Sequence, residues 1–198
     1  TAIHLDIYSD TVKAVSCDGT RMAMLKRQAE TGGKMSVNIP KTAFYQLACA
    51  VKNEDVLDVG MDGHFLVFMK DSLLFATRII EDAFLDVDAL LKYHDEAYRA
   101  VVDVAELQRA IESIHPLASN TEVSVLKMSF RDNNVLFQYR GDNCNIELSV
   151  PAVVLNKMPE GFYYPVGKFV DCFKTIKGKT VLLVSSHGLL LAGDDSSQ

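Results

Sequence analysis

The sequence predicts an α+β fold, with antiparallel sheets carrying helices on one face, arranged as two similar domains. Three observations support this. Alternating strand-like runs outnumber helical patterns, neighbouring runs are joined by local hairpin turns, and one order of elements (a helix, then strands) recurs along the chain. Successive copies start roughly 60 residues apart, longer than most solenoid repeats. The chain reads as three and a half copies that pair into two domains, 1–93 and 94–198, with the boundary in the polar stretch 92–98.

Residues 3–8, 11–16 and 21–26 alternate as the strands of a unit whose helix is missing. Pro40 opens the first helix, since proline suits a first helical position, and Phe44, Leu47, Ala48 and Val51 share its apolar face. Residues 55–60 and 64–69 follow as strands across Met61-Asp62-Gly63, because Asp-Gly is a strong hairpin signal, and 72–80 is the third strand. The second copy starts at Asp103, an N-cap with Glu106 three residues on, a variant of the capping box. Val104, Leu107, Ile111 and Ile114 form its apolar face, and Pro116 is expected to stop the helix. Residues 123–130 and 135–139 make a hairpin across Arg131-Asp132-Asn133-Asn134, with 145–150 as third strand. The third copy starts at Pro165. Phe169, Phe173 and Ile176 share one helix face, Gly178 ends the helix, and 180–185 and 189–191 are strands around His187-Gly188. Residues 194–198 are polar and expected to fray.

With 198 residues, 48% hydrophobic and 23% charged, the composition is that of a globular protein and excludes wholesale disorder. The longest apolar runs, 181–184 and 189–192, are far too short to cross a bilayer, so no membrane partner is expected. The first residues lack a basic-then-apolar signal pattern and an initiator Met, so the expectation is a cytoplasmic protein whose chain begins inside a longer parent. A net charge of −6 excludes an overall basic footprint but not positive charge confined to one face. Cys17, Cys49, Cys144 and Cys172 form no C-x-x-C pair and suggest neither a zinc site nor a disulfide framework; reduced thiols are expected.

No catalytic motif is present. The histidines His4, His64, His94, His115 and His187 form no H-E-x-x-H, and there is no G-x-S-x-G, P-loop or G-x-G-x-x-G. Glu81, Asp82, Asp86 and Asp88 lack the spacing and glycine of an EF-hand loop. No catalytic residue, metal or cofactor is assigned, and the chain is read as a non-enzyme.

The segment Ser16-Cys17-Asp18-Gly19-Thr20-Arg21-Met22-Ala23 resembles the Ala-Thr-Asp-Gly-His-Arg-Leu-Ala element of bacterial sliding clamps, the beta subunit of DNA polymerase III. Further matches follow in order. Val37-Asn38-Ile39-Pro40-Lys41 is similar to the clamp lead into a helix. The stretch 75–87 resembles a Ser-Arg-Leu-Ile-Asp-Gly-x-Phe-Pro-Asp-Tyr segment, and 107–120, closing on Leu117-Ala118-Ser119-Asn120, resembles the third-domain helix. Residues 164–176 and 179–191 resemble the last helix and hairpin, so the resemblance spans essentially the whole chain.

The resemblance implies a DNA-clamp fold, with helices on the inner face and sheets outside. It covers the second clamp domain without its first half-helix and the third domain without its final strand. It implies a processivity factor whose parent is a homodimeric ring around duplex DNA, opened by a clamp loader and needing no cofactor. Lysines and arginines on the inner helices would neutralise phosphates without reading bases, so that a ring holds on and slides. The matching positions are Lys41, Lys52, Arg109, Lys168, Lys174 and Lys177, although the helix around Arg109 has no net positive excess. A pocket for short linear motifs rich in Gln, Leu and Phe, from the DNA polymerase III alpha subunit and the clamp loader, maps to Cys17, Gly19, Thr20, Arg21, Met22, Leu85, Leu90 and Val123, with Pro165, Lys168 and the turn at Gly188-Leu189 as its far wall. Leu85 stands for a proline, Ala89 for a basic residue and Lys168 for an aromatic or aliphatic one. Leu117 and Ala118 match the ring-closing surface, and a chain without the first domain is not expected to close the usual ring. Two alternatives stay open: a phage or plasmid clamp relative with other partners, and an α+β small-molecule-binding protein that shares only the repeat.

Overall fold

Alternation of apolar and polar residues builds the first sheet. In a computed structural model, which describes residues 2–92, 98–118, 125–141, 144–156, 161–166, 172–173, 176–185 and 188–193 (at 115, 117 and 118 the backbone only), β1 (Ala2–Ile7), β2 (Thr11–Cys17) and β3 (Met22–Gln28) form a meander. β4 (Met35–Pro40) returns to pair with β1, giving the order β3-β2-β1-β4. The register puts Ile3, Leu5 and Ile7 beside Ile39, Val37 and Met35 on one face. α1 (Lys41–Ala50) then buries Ala43 and Leu47. β5 (Asp58–Asp62), β6 (Phe65–Lys70) and β7 (Leu73–Arg78) form a three-stranded sheet whose Leu66 and Phe68 join the core of Leu5, Val37, Ile39 and Leu47.

α2 (Val87–Lys92) and β8 (Tyr98–Asp103) follow, and the Asp103 carboxylate caps α3 (Val104–Ala118), accepting the amides of Ala105 at 2.9 Å and Glu106 at 3.3 Å. β9 (Val125–Arg131), β10 (Asn134–Arg140), β11 (Asn145–Val154), β12 (Phe162–Pro165), β13 (Lys179–Ser185) and β14 (Gly188–Gly193) complete a seven-stranded sheet, β12-β9-β10-β11-β8-β13-β14. Every strand pairing among the described residues is antiparallel. Val104, Leu107, Ile111 and Ile114 are all buried against this sheet, beside Leu126, Met128, Phe137, Leu182 and Val184. Full burial of each such side chain contributes about 1.5–3 kcal/mol relative to exposure. The chain divides into two compact units, Thr1–Leu85 and Asp86–Gln198.

The α+β class and the antiparallel sheets are as expected, and the Asp103 cap and the apolar face of α3 are as read. Several details differ. Pro40 and Pro165 close strands β4 and β12 rather than opening helices; Pro40, at φ −59° and ψ 134°, is extended and flanks α1 as its N-cap. Ala43, not Ala48, faces the core of α1. Pro116 does not stop α3, which runs to Ala118: in the final turn its ring removes one amide bond and little of the helix lies beyond it. Ile176 and Lys177 lie outside helix, ahead of Gly178 at φ +73°. The β5–β6 turn is Gly63-His64, with Asp62 inside β5 and Gly63 at φ +56°, and β7 ends at Arg78, leaving Ile80 as a single bridge to Asn38. Asp55 is not in a strand; it accepts the Lys52 amide at 2.9 Å and pairs with the Lys70 ammonium. The β9–β10 hairpin is present as read, but its turn is only Asp132-Asn133, at φ 49° and 58°, with Arg131 and Asn134 paired inside the strands.

Candidate functional site

The β2–β3 hairpin is the most tightly organised of the expected site elements. Gly19, at φ +89°, supplies the left-handed backbone that the turn requires. Asp18 Oδ1 accepts the amides of Thr20 at 3.0 Å and Arg21 at 2.8 Å and the Thr20 hydroxyl at 2.9 Å. Asp18 Oδ2 accepts Arg21 Nε at 2.9 Å and an Arg21 Nη at 2.8 Å. The Asp18 amide donates to the Arg21 carbonyl at 3.0 Å. These donors, the Thr20 amide first and the Arg21 guanidinium next, hold the Asp18 carboxyl well below the usual carboxylate range. Cys17 Sγ accepts the Gly19 amide at 3.4 Å, and Met22 sits across the ladder from Cys17, half-buried.

Cys17, Gly19, Thr20, Arg21 and Met22 therefore come together on one hairpin. Leu85 is 44% exposed at the end of the first unit. Asp86 directly precedes α2, its carboxylate accepting the Ala89 amide at 3.0 Å, and Leu90 in that helix is half-buried. Pro165 is exposed at the end of β12, and Gly188 and Leu189 begin β14. Val123 and Lys168 lie outside the described residues.

Of the expected phosphate-facing residues, Lys41 is exposed at the start of α1, on the side that also leaves Thr42, Tyr45, Gln46 and Cys49 uncovered. The Lys52 side chain is exposed just beyond α1. Arg109 is exposed on α3, its Nε donating to the Ala105 carbonyl at 3.2 Å, between Glu106 and Glu112 on the solvent side. Lys177 is exposed but not helical, and Lys174 lies outside the described residues. Leu117 and Ala118 fall in the last turn of α3 by backbone. Among the described residues no group of three or more His, Cys, Asp or Glu is placed to hold a metal ion, and no helix is long and apolar enough to cross a membrane.

Two residues here escaped the sequence reading of the site. Asp18 organises the hairpin, and Asp86 caps α2. Both carry the same signal: an aspartate whose carboxylate can accept amides two or three residues on.

No family model and no curated protein matches the chain. Solved structures do. The beta subunit of DNA polymerase from Streptococcus pyogenes superposes at a TM-score of 0.87 and 17% identity, over 100% of this chain and 55% of its own. The DNA polymerase III beta subunit from Thermotoga maritima gives 0.85 and 17% over 99% and 54%. A sliding clamp from Pseudomonas aeruginosa bound to griselimycin gives 0.82 and 16% over 99% and 54%. The chain thus has the sliding-clamp fold and spans about half the length of the clamps it matches.

Proposed function

We propose that this chain is the peptide-presenting part of a DNA sliding clamp, a non-catalytic, cytoplasmic processivity factor whose full-length parent closes as a homodimeric ring on duplex DNA. The observation that carries this reading is the whole-chain superposition on clamp structures, with TM-scores of 0.81 to 0.87. The hairpin Cys17–Met22 supports it. A turn fixed by five bonds to one carboxylate offers a rigid wall, and rigid walls suit the capture of short apolar motifs. The partners are short linear motifs of the DNA polymerase III alpha subunit and of the clamp loader. The residues proposed to contact these motifs are Cys17, Gly19, Thr20, Arg21, Met22, Leu85, Leu90, Val123, Pro165 and Lys168. The two domains correspond to 1–93 and 94–198. Lys41, Lys52, Arg109, Lys168, Lys174 and Lys177 face phosphates without reading bases, and Leu117 and Ala118 belong to the ring-closing surface.

The test is fluorescence polarisation with a labelled Gln-Leu-x-Leu-Phe peptide against an alanine-scrambled control, with griselimycin as competitor. Saturable binding, displaced by griselimycin and weakened about tenfold or more in Met22→Ala, is expected, since loss of an apolar anchor costs about 1.4 kcal/mol or more. Absence of saturable binding, both by this chain and by a chain extended at both ends, would overturn the peptide role.

A further inference from the structure

The three-stranded sheet of the first unit is apolar on both faces. In β6, Leu66 and Phe68 are buried in the core, so the alternate residues Phe65, Val67 and Met69 point away from it. The ladders align them with their neighbours in three outward rows: Asp62–Phe65–Arg78, Gly60–Val67–Ala76 and Asp58–Met69–Leu74. An antiparallel sheet with one solvated face ordinarily turns polar residues outward. The meander β9-β10-β11 does so, with the outward rows Lys127–Gln138–Glu147 and Arg140–Asn145. The small sheet does not. Phe65, Met69 and Leu74 are 48%, 45% and 69% exposed, Ala76 is exposed and Val67 is half-buried. Its own core does not call for them, since Leu66, Phe68 and Thr77 are buried from the opposite face. A contiguous outward apolar patch of this kind marks an interaction surface.

The charges at the rim of the patch choose its occupant. Asp62 lies on β5 and Arg78 on β7, in one row, with Phe65 of the central strand between them. Among the described residues neither makes an ion pair. Consider a second copy laid face to face on the first, related by a two-fold axis that runs parallel to β6 midway between the sheets. The rotation lays β5 over the second copy's β7 and keeps every row in register. Asp62 then faces the second copy's Arg78, and Arg78 faces its Asp62. Phe65, Val67 and Met69 meet their own counterparts along the axis, and Asp58 sits at the rim near the second copy's Leu74. An axis across the strands would instead set Asp62 over Asp58 and Arg78 over Leu74. The pattern is therefore self-complementary in one arrangement, as an isologous interface must be.

We infer that the outward face of β5-β6-β7 is a self-association surface, on which a second copy of this chain docks sheet to sheet about a two-fold axis parallel to β6. Phe65, Val67 and Met69 form the apolar centre, and two reciprocal Asp62–Arg78 pairs fix the orientation. The size of the face sets the strength. Three strands about 4.8 Å apart and five residues at about 3.4 Å each give a footprint of roughly 14 Å by 17 Å. That is well under the roughly 800 Å² that each partner of a standard stable interface buries, so the dimer is weak and dissociates on dilution. The surface uses none of the residues assigned above to peptide capture, phosphates or ring closure, so it does not rest on the clamp reading.

The test is sedimentation of the 198-residue chain from about 10 μM to about 1 mM, a range that spans weak association. The average mass is expected to rise with concentration from that of one chain toward that of two. Phe65→Ser should weaken the association by about tenfold or more, as loss of a central anchor does. Asp62→Arg and Arg78→Asp should each do the same, because each sets like charges face to face at two places. An equimolar mixture of those two variants restores both pairs, as does the double variant Asp62→Arg/Arg78→Asp. Both are expected to associate within about threefold of the parent, and that recovery separates a broken contact from a misfolded chain. A constant mass up to about 1 mM would overturn the inference. Association that ignores the charge reversals, or that the mixture does not restore, would overturn it in favour of another surface.

Discussion

Asn38 ties the segment after β7 to the first sheet, and its removal has a calculable effect. Its Nδ2 donates to the Asp82 carbonyl at 2.6 Å, its Oδ1 lies 2.7 Å from His4 Nδ1, and the side chain is 8% exposed. Its own carbonyl accepts the Ile80 amide at 2.7 Å. Asn38→Ala keeps that backbone bond and deletes the two side-chain bonds, leaving two part-buried partners unsatisfied. At about 1 kcal/mol for each bond, the expected loss is about 2 kcal/mol. Of the two lost bonds only the one to the Asp82 carbonyl holds the 80–84 segment, the other joining β4 to His4 of β1, so about 1 kcal/mol of the cost falls on local opening of that segment. Amide exchange at Ile80 then accelerates by about fivefold, a factor of ten for each 1.4 kcal/mol. His4 adds to the tie by stacking on Phe84, with ring centroids 4.7 Å apart and planes 7° from parallel. A double-mutant cycle of His4→Ala and Asn38→Ala is expected to give a coupling of about 1 kcal/mol. Ile80 exchange within about threefold of the parent, with no coupling in the cycle, would refute the assignment of this tie to the side chain.

Asp103→Ala removes the cap of α3 and is expected to cost about 1 kcal/mol, read as a lower urea midpoint for the second unit by amide exchange, with β1 unchanged. Phe137→Ala empties a fully buried site in that unit and is expected to cost about 3–5 kcal/mol in the same assay. Burial pushes the Tyr164 hydroxyl up to about 12. The folded state therefore holds this proton more tightly than the unfolded chain does, so the contribution is complete below the ordinary tyrosine range near 10 and is lost as pH rises from about 10 to about 12. Tyr164→Phe should remove that part of the alkaline destabilisation in a Tm-against-pH series.

The elements legible in the sequence are those whose cause is local. Asp132 and Asn133 tolerate positive φ, so the β9–β10 turn announces itself. Asp103 has its amides within reach two and three residues on, and the four apolar residues of α3 recur at helical spacing. The strands that escaped are β4, β8 and β12, each directly ahead of a helix. Their partners are remote: β4 pairs with β1, β8 with β11 and β13, and β12 with β9. Nothing in four to six residues announces a pairing that distant. The prolines misled for a related reason. Pro40 and Pro165 have the fixed φ that suits a helix start, but the same φ is compatible with extended ψ, and tertiary pairing decides between them. In α1, Ala43 and Ala48 are equally apolar, and only the direction of the sheet beneath selects Ala43.

The hairpin Cys17–Met22 was legible as a turn, but the role of Arg21 within it was not. Its guanidinium is bidentate on Asp18, with both side chains 38% exposed, so Arg21 braces the loop. Arg21→Ala by itself therefore does not distinguish a pocket contact from a support. Asp18→Asn does: it weakens the anchor of the brace and leaves the Arg21 side chain in place. If Arg21 acts by positioning, both variants weaken peptide binding to a similar extent, and their combination is no worse than either alone. If Arg21 touches the peptide, Arg21→Ala weakens binding and Asp18→Asn does not. The acid limb gives a second discriminator. The folded-state carboxyl of Asp18 is lowered, so its bracing is complete above the ordinary aspartate range and is lost only as pH falls below it toward the lowered value. The Thr20 and Arg21 amide resonances should hold their bonded positions down through pH 4 in the parent chain. In Asp18→Asn they should be shifted at neutral pH and show no acid transition. An acid transition that survives in Asp18→Asn would assign the order of the hairpin to another group.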